Sequence, residues 1–201
     1  MSEKKLHTRV RQEQIVLAAL NLVATQGLRS LNVAAVARRI GLVPSAIYRH
    51  FKGKEEIIDA VLDHIRGMLQ GNVDGVCEEA PDSLERLRRL LFRHIRLIRE
   101  NLAIPRVIFS EDVYSGRSGR KERVYGIVSD YLSRVEEIIR QGQGAGRIDP
   151  GIDPKAVSIL FLGLVQPTAL LWHISNGRFD VTRQAEKAWK LFTRAVGACC
   201  E

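Results

Sequence analysis

"GLVPSAIYRHFKGKEE", residues 41–56, sets a glycine, a proline, a Tyr-Arg-His triplet and two lysines in sixteen positions. Pro44 falls where a first-turn proline is preorganised for helix, so "SAIYRHF" reads as a short helix opening just after Gly41 and Leu42. Upstream, Asn32 is placed to cap "VAAVARRI", a helix that stops at Gly41. Two short helices joined by a tight glycine turn form a helix-turn-helix, whose second helix is narrow enough to enter a DNA major groove. Ala37, Leu42 and Ile47 fall on the inner side of this pair, leaving Val43, Ser45 and Arg49 outward.

Working outward, the preceding helix covers about residues 9–26, with Ile15, Ala19, Leu22 and Val23 on one face and Gly27 past its end. A long helix begins near Lys54, with Glu55 and Glu56 in the first turn where the helix dipole favours anions, and runs to about residue 70. "GNVDGVCEEAP", 71–81, then reads as a break. Asp82 and Glu85 form a D-x-x-E start like a capping box for "SLERLRRLLFRHIRLIREN". Further helices are expected around 102–113, 120–141, 154–175 and 181–198, with Asp153 and Asp180 at the starts of the last two. The fold class is all-α, with about nine helices. "GQGAGRIDPGIDP" follows a helix instead of a strand, so its glycines and prolines read as helix breakers and not as a phosphate loop.

Charge divides the chain in the same place. The formal net charge is +8, and residues 1–54 carry all of it, with ten Lys or Arg against Glu3 and Glu13; the remaining 21 basic and 21 acidic residues balance. Clustered cations gain affinity for phosphates by releasing condensed counterions, which points to a polyanion as partner of the first quarter. No apolar run nears the roughly 18 residues of a membrane span, and "MSEKKLHTRVRQEQ" lacks the apolar centre of a secretory signal, so no membrane partner and a cytoplasmic location are expected. Cys77, Cys199 and Cys200 are odd in number and form no C-x-x-C pair, which argues against a disulfide scaffold. The five histidines are dispersed, with no H-E-x-x-H, E-x-x-H or G-x-S-x-G, so no catalytic residue, metal site or cofactor is expected.

"LNVAAVARRIGLVPSAIYRHFKGKEEIIDAVL", residues 31–62, resembles the DNA-binding domain of tetracycline-repressor-like (TetR-family) transcriptional regulators, from the A-x-x-x-G turn at Ala37–Gly41 through Y-R-H-F to the Lys-Glu opening of the fourth helix. The resemblance implies an N-terminal helix-turn-helix domain over 1–54, continued by a linking helix over 54–70, and an effector-binding and dimerisation domain over 71–201. It implies that Tyr48, His50 and Lys54 hold phosphates and that Arg49 reads a base, with Asn32, Val43, Pro44 and Ser45 completing the DNA face. Val43, Pro44 and Ala46 depart from the family's frequent Ser, polar and Thr residues, which shifts readout toward Ser45, Arg49, methyl contacts and DNA shape.

In the remainder, Phe92, His94, Phe109, Tyr114, Tyr125, Phe161, Gln166 and His173 are the residues such a fold would offer to a hydrophobic or aromatic effector. Leu160, Leu164, Leu171, Trp172, Phe192 and Val196 would form a four-helix homodimer interface or, read alone, an intrachain core. A dimer would place two recognition helices roughly 34–36 Å apart on a palindromic double-stranded site, and an effector preferring another spacing would release it. The expected function is a sequence-specific repressor of this kind. The alternative is a helical DNA-binding protein controlled by a protein partner or by no small molecule.

Overall fold

The computed structural model describes residues 3–111 and 119–197. Tyr114, Cys199 and Cys200 lie outside the described residues. Nine α-helices occur among the described residues: α1 (Glu3–Gln26), α2 (Val33–Arg39), α3 (Pro44–Tyr48), α4 (Lys54–Glu79), α5 (Ser83–Glu100), α6 (Ala103–Ile108), α7 (Arg120–Gly144), α8 (Pro154–Ile174) and α9 (Val181–Val196). The fold is all-α, as expected. Packing divides it into a first unit, Met1–Gly67 with Asn101–Tyr125, and a second, Met68–Glu100 with Gly126–Glu201.

In the first unit, Ile15, Ala19, Leu22 and Val23 are buried along α1, the stripe its sequence spacing prescribes. Gly27 ends that helix at a φ of 82°, a left-handed conformation open to glycine at little cost. The Asn32 side chain accepts the Ala35 N–H at 2.8 Å and so caps α2. Gly41, at φ 66°, turns the chain so that the Leu42 N–H donates to the Ala37 carbonyl at 2.9 Å. Ala37, Ile47, Phe51, Ile57 and Leu62 close the core beneath this turn. α6 packs against α1 through a face formed by Ala103, Ile104 and Val107. It ends at Ile108, short of the expected residue 113, where Phe109 leaves helical geometry with a φ of −102°.

The second unit buries Leu87, Leu90, Leu91 and Ile95 of α5 against Tyr131, Val135, Ile138 and Ile139 of α7, and closes with Phe161, Val165, Phe192 and Val196. α4 runs to Glu79 instead of breaking near residue 71. Val73 and Val76 are buried, and removing them from water outweighs the roughly 1 kcal/mol that each of Gly71 and Gly75 costs in a helix. Gly75 has a further reason: a Cβ there would stand 2.5 Å from the Arg93 guanidinium, which crosses α4 to bond Glu79.

The D-x-x-E start of α5 is half a capping box. Asp82 accepts the Glu85 N–H at 2.9 Å, but the Glu85 carboxylate pairs with Arg89 at 2.8 Å instead of reaching back. The glycine-rich segment after α7 acts as a helix stop, held by Gln143 donating to the Asp149 and Ile152 carbonyls at 2.9 Å. Asp153 and Asp180 cap α8 and α9 as their positions imply.

One expectation needs correcting. α8 is long and apolar enough, by length and composition alone, to cross a membrane. Val157, Phe161 and Val165 of this helix fill the core, while Ile159, Leu160, Leu170 and Leu171 stay exposed on the other side.

Candidate DNA-binding interface

The α2–α3 pair is rigid for local reasons. Leu42 bonds back to Ala37, and Pro44 opens α3 with its φ already set. Ile47 is fully buried and Phe51 nearly so, which fixes the roll of α3. The same roll turns Val43, Pro44, Ser45, Tyr48 and Arg49 outward, with Val43 63% and Tyr48 56% exposed. Val43 and Tyr48 are thereby open to contact from outside the chain.

His50 is half-buried, and its Nδ1 is buried without a hydrogen-bond partner. Buried polar nitrogens are rarely left so, and only the exposed part of the His50 ring is open to an outside partner. Lys54 opens α4 half-buried, with its neighbours Glu55 and Glu56 exposed. Asn32 is exposed, but its amide is committed: Oδ1 caps α2 and Nδ2 donates to the Ser30 carbonyl at 3.1 Å. Asn32 is therefore a helix cap for α2 first.

Two features of this surface escaped the sequence reading. Lys52 is an exposed cation in the α3–α4 turn, and its backbone N–H is held by the Glu56 carboxylate. Arg120, at the start of α7, grips the first two turns of α4 through Glu55 and Asp59. Lys52 was legible from its place in the turn; Arg120 was not, because 65 residues separate it from Glu55.

Of the residues expected to line an effector pocket, the seven that are described divide between the two units. Phe109 and Tyr125 are exposed in the first unit, whereas Phe161 and His94 are buried in the core of the second. Phe92 is half-buried with the Arg88 guanidinium 5.6 Å from its ring centroid, and Gln166 and His173 are exposed on α8. His94 has a partner the sequence did not reveal. Its Nδ1 and the Tyr131 hydroxyl share a hydrogen bond at 2.9 Å, with the rings edge to face. Burial pulls the His94 pKa down to about 4 and pushes the Tyr131 phenol upward, so both are neutral near pH 7.

The expected dimer residues divide in the same way. Leu160 and Leu171 are exposed, and Leu164 and Trp172 half-buried. Phe192 and Val196 point into the chain's own core, where Phe192 meets Phe161 at 5.8 Å and stacks on Trp189 at 5.5 Å between centroids. Helical spacing alone could not separate the two faces, because both sides of α8 are apolar. The exposed apolar row also includes Ile159, Leu170, Ile174 and Leu191.

Comparison with known proteins adds an independent line. Residues 15–61 match the family model described as bacterial regulatory proteins, tetR family, and residues 80–196 match the tetracyclin repressor-like C-terminal domain. The fatty acid metabolism regulator protein of Bacillus subtilis is 22% identical over 185 residues, covering 91% of this chain and 94% of that protein. The nucleoid occlusion factor SlmA of Photobacterium profundum is 22% identical over 192 residues, covering 93% and 96%. The crystal structure of FadR from Bacillus subtilis in complex with stearoyl-CoA superposes with a TM-score of 0.77 at 20% identity, covering 90% of this chain and 97% of that one.

Proposed function

The chain belongs to the tetR family of bacterial regulatory proteins, and from that premise we propose that it is a repressor leaving a palindromic operator when a small hydrophobic or aromatic effector binds. It is a DNA-binding transcriptional regulator and not an enzyme. Such regulators bind DNA as homodimers and take small-molecule effectors, and their work on bacterial DNA places this one in the cytoplasm.

The observation that carries the reading is the outward face of α3. Tyr48, His50 and Lys54 are the phosphate contacts we assign, since each presents a donor that fixes register without reading sequence. Arg49 is assigned to a guanine edge, where a guanidinium bonds O6 and N7 together. Val43, Pro44 and Ser45 complete the face by contact with methyl groups and backbone. We assign DNA binding to residues 1–54 with the start of α4, and effector binding and dimerisation to 71–201. For the dimer, the exposed row of Ile159, Leu160, Leu170, Leu171, Ile174 and Leu191 replaces Phe192 and Val196.

The similarity to a fatty acid metabolism regulator of Bacillus subtilis and to a FadR structure from that organism with stearoyl-CoA bound supports an effector with a long apolar body. The nucleoid occlusion factors favour a second reading, in which DNA binding is governed by something other than a metabolite. Selection of bound duplexes from a random pool, followed by anisotropy with and without acyl-CoA thioesters, tests both. An inverted repeat released by a thioester supports the proposal. A repeat released by no apolar compound supports the second reading, and recovery of no motif overturns sequence-specific regulation.

A further inference from the structure

Among the described residues, Arg120 is the one lysine or arginine whose side chain is buried, only 6% exposed. A guanidinium keeps its charge at any physiological pH, so a buried one must be matched by acceptors. Three are present, all in the first two turns of α4. Arg120 Nη2 bonds the Glu55 carboxylate and donates to the Glu55 carbonyl at 3.2 Å, and Nε donates to Asp59 Oδ1 at 3.3 Å. One turn on, Arg123 pairs with Asp63 at 2.6 Å. α7 therefore grips α4 over three successive turns, beginning one residue after Lys54.

We propose that Arg120 is a positioning residue for DNA binding, holding the first turn of α4 so that Lys54 and the α3–α4 turn meet the phosphates in register. It lies outside the 15–61 match that marks the DNA-binding module and inside the 80–196 match. Two physical effects act together. The grip fixes the roll and direction of α4 from one side, while Glu56, bonded to the Lys52 N–H, fixes it from the other. The guanidinium also balances Glu55, a carboxylate 69% exposed and adjacent in sequence to the phosphate-binding lysine, which would otherwise repel the DNA backbone.

The proposal rests on α3 being the recognition helix, so the test begins with wild-type full-length protein on its selected operator and on a scrambled duplex of equal length. Absence of any preference there would sink the DNA-binding assignment itself, not the role of Arg120. Given a preference, Arg120→Gln is expected to lower the operator-to-scrambled affinity ratio by about tenfold, with Arg120→Lys recovering part of it. The Glu55→Gln, Asp59→Asn double variant removes both anions that match Arg120 but keeps amide oxygens able to accept from it, and urea unfolding checks that it is folded under the binding conditions. It is expected to lower the same ratio even though it removes negative charge near the phosphates. Adding Glu55→Gln to Arg120→Gln restores the local charge but not the grip, so the ratio is expected to stay low. An unchanged ratio in the double variant, or full recovery in the combined one, would overturn the positioning role.

Discussion

Nδ1 of His94 lies 2.9 Å from the Tyr131 hydroxyl, and both side chains are closed off from water among apolar neighbours on α5 and α7. Burial away from water is what favours the neutral imidazole over the charged one. Burial holds the folded pKa at about 4, whereas an unfolded histidine titrates near 6.5. Between those values the unfolded chain binds the proton and the folded chain does not. The stability is fully present above about pH 6.5, is lost as pH falls toward 4, and levels off below that.

His94 should therefore withdraw about 3 kcal/mol of stability between pH 6.5 and 4. Urea unfolding of wild type and His94→Gln across that range measures it. The variant should be weaker at pH 7 but show a shallower loss on acidification, and equal slopes would remove the assignment.

Asn32 separates two roles. Asn32→Ala removes the cap on α2 and should cost about 1 kcal/mol in thermal or urea unfolding. Asn32→Asp keeps the capping acceptor but loses the Nδ2 bond to the Ser30 carbonyl, so it should cost less stability than Asn32→Ala. It should still weaken DNA binding, because it adds a carboxylate to the phosphate-facing end of α2. Unchanged DNA affinity in Asn32→Asp would place that end away from the duplex.

On α3, Tyr48→Phe deletes one phosphate donor and should weaken operator and scrambled duplexes alike. Arg49→Ala should also relax the preference at one base pair, by about 1 to 3 kcal/mol. Anisotropy titrations against a set of single-base operator variants distinguish the two patterns. Tight, fully selective binding by both variants would show that α3 is not the reading element.

The two faces of α8 and α9 should respond oppositely to substitution. Leu170→Glu and Leu191→Glu alter side chains 59% and 66% exposed, so they should yield folded monomers by sedimentation velocity. Phe192→Ala opens the core instead and should cost about 3 to 5 kcal/mol in unfolding. A dimeric Leu170→Glu, Leu191→Glu double variant would move the interface elsewhere.

Legibility in the sequence followed the range of the forces involved. Gly27, Gly41, Asn32, Asp153 and Asp180 act on neighbours within a few residues, and each was readable from its position. α4 was cut short at residue 71, because the burial of Val73 and Val76 that carries it through two glycines comes from helices distant in sequence. The outward face of α3 was legible since Ile47 and Phe51 fix its roll locally. His94 meeting Tyr131 and Arg120 meeting Glu55 span 37 and 65 residues, and nothing in local periodicity encodes such pairings. Sequence leaves Phe192 open between interface and core, because Leu, Phe and Trp satisfy both equally well, and the structure buries it in the core.

With the exposed face of α8 as the proposed dimer interface, the regulator would be sensitive to dose. A lone chain keeps Ile159, Leu170 and Ile174 in water, and pairing through them would bury that face. Below the concentration at which pairing saturates, the number of dimers falls with the square of the number of chains. Halving expression would then remove about three-quarters of the molecules able to span two half-sites, by the mass action that couples assembly to concentration. Genes under such a regulator would respond to its abundance more than in proportion.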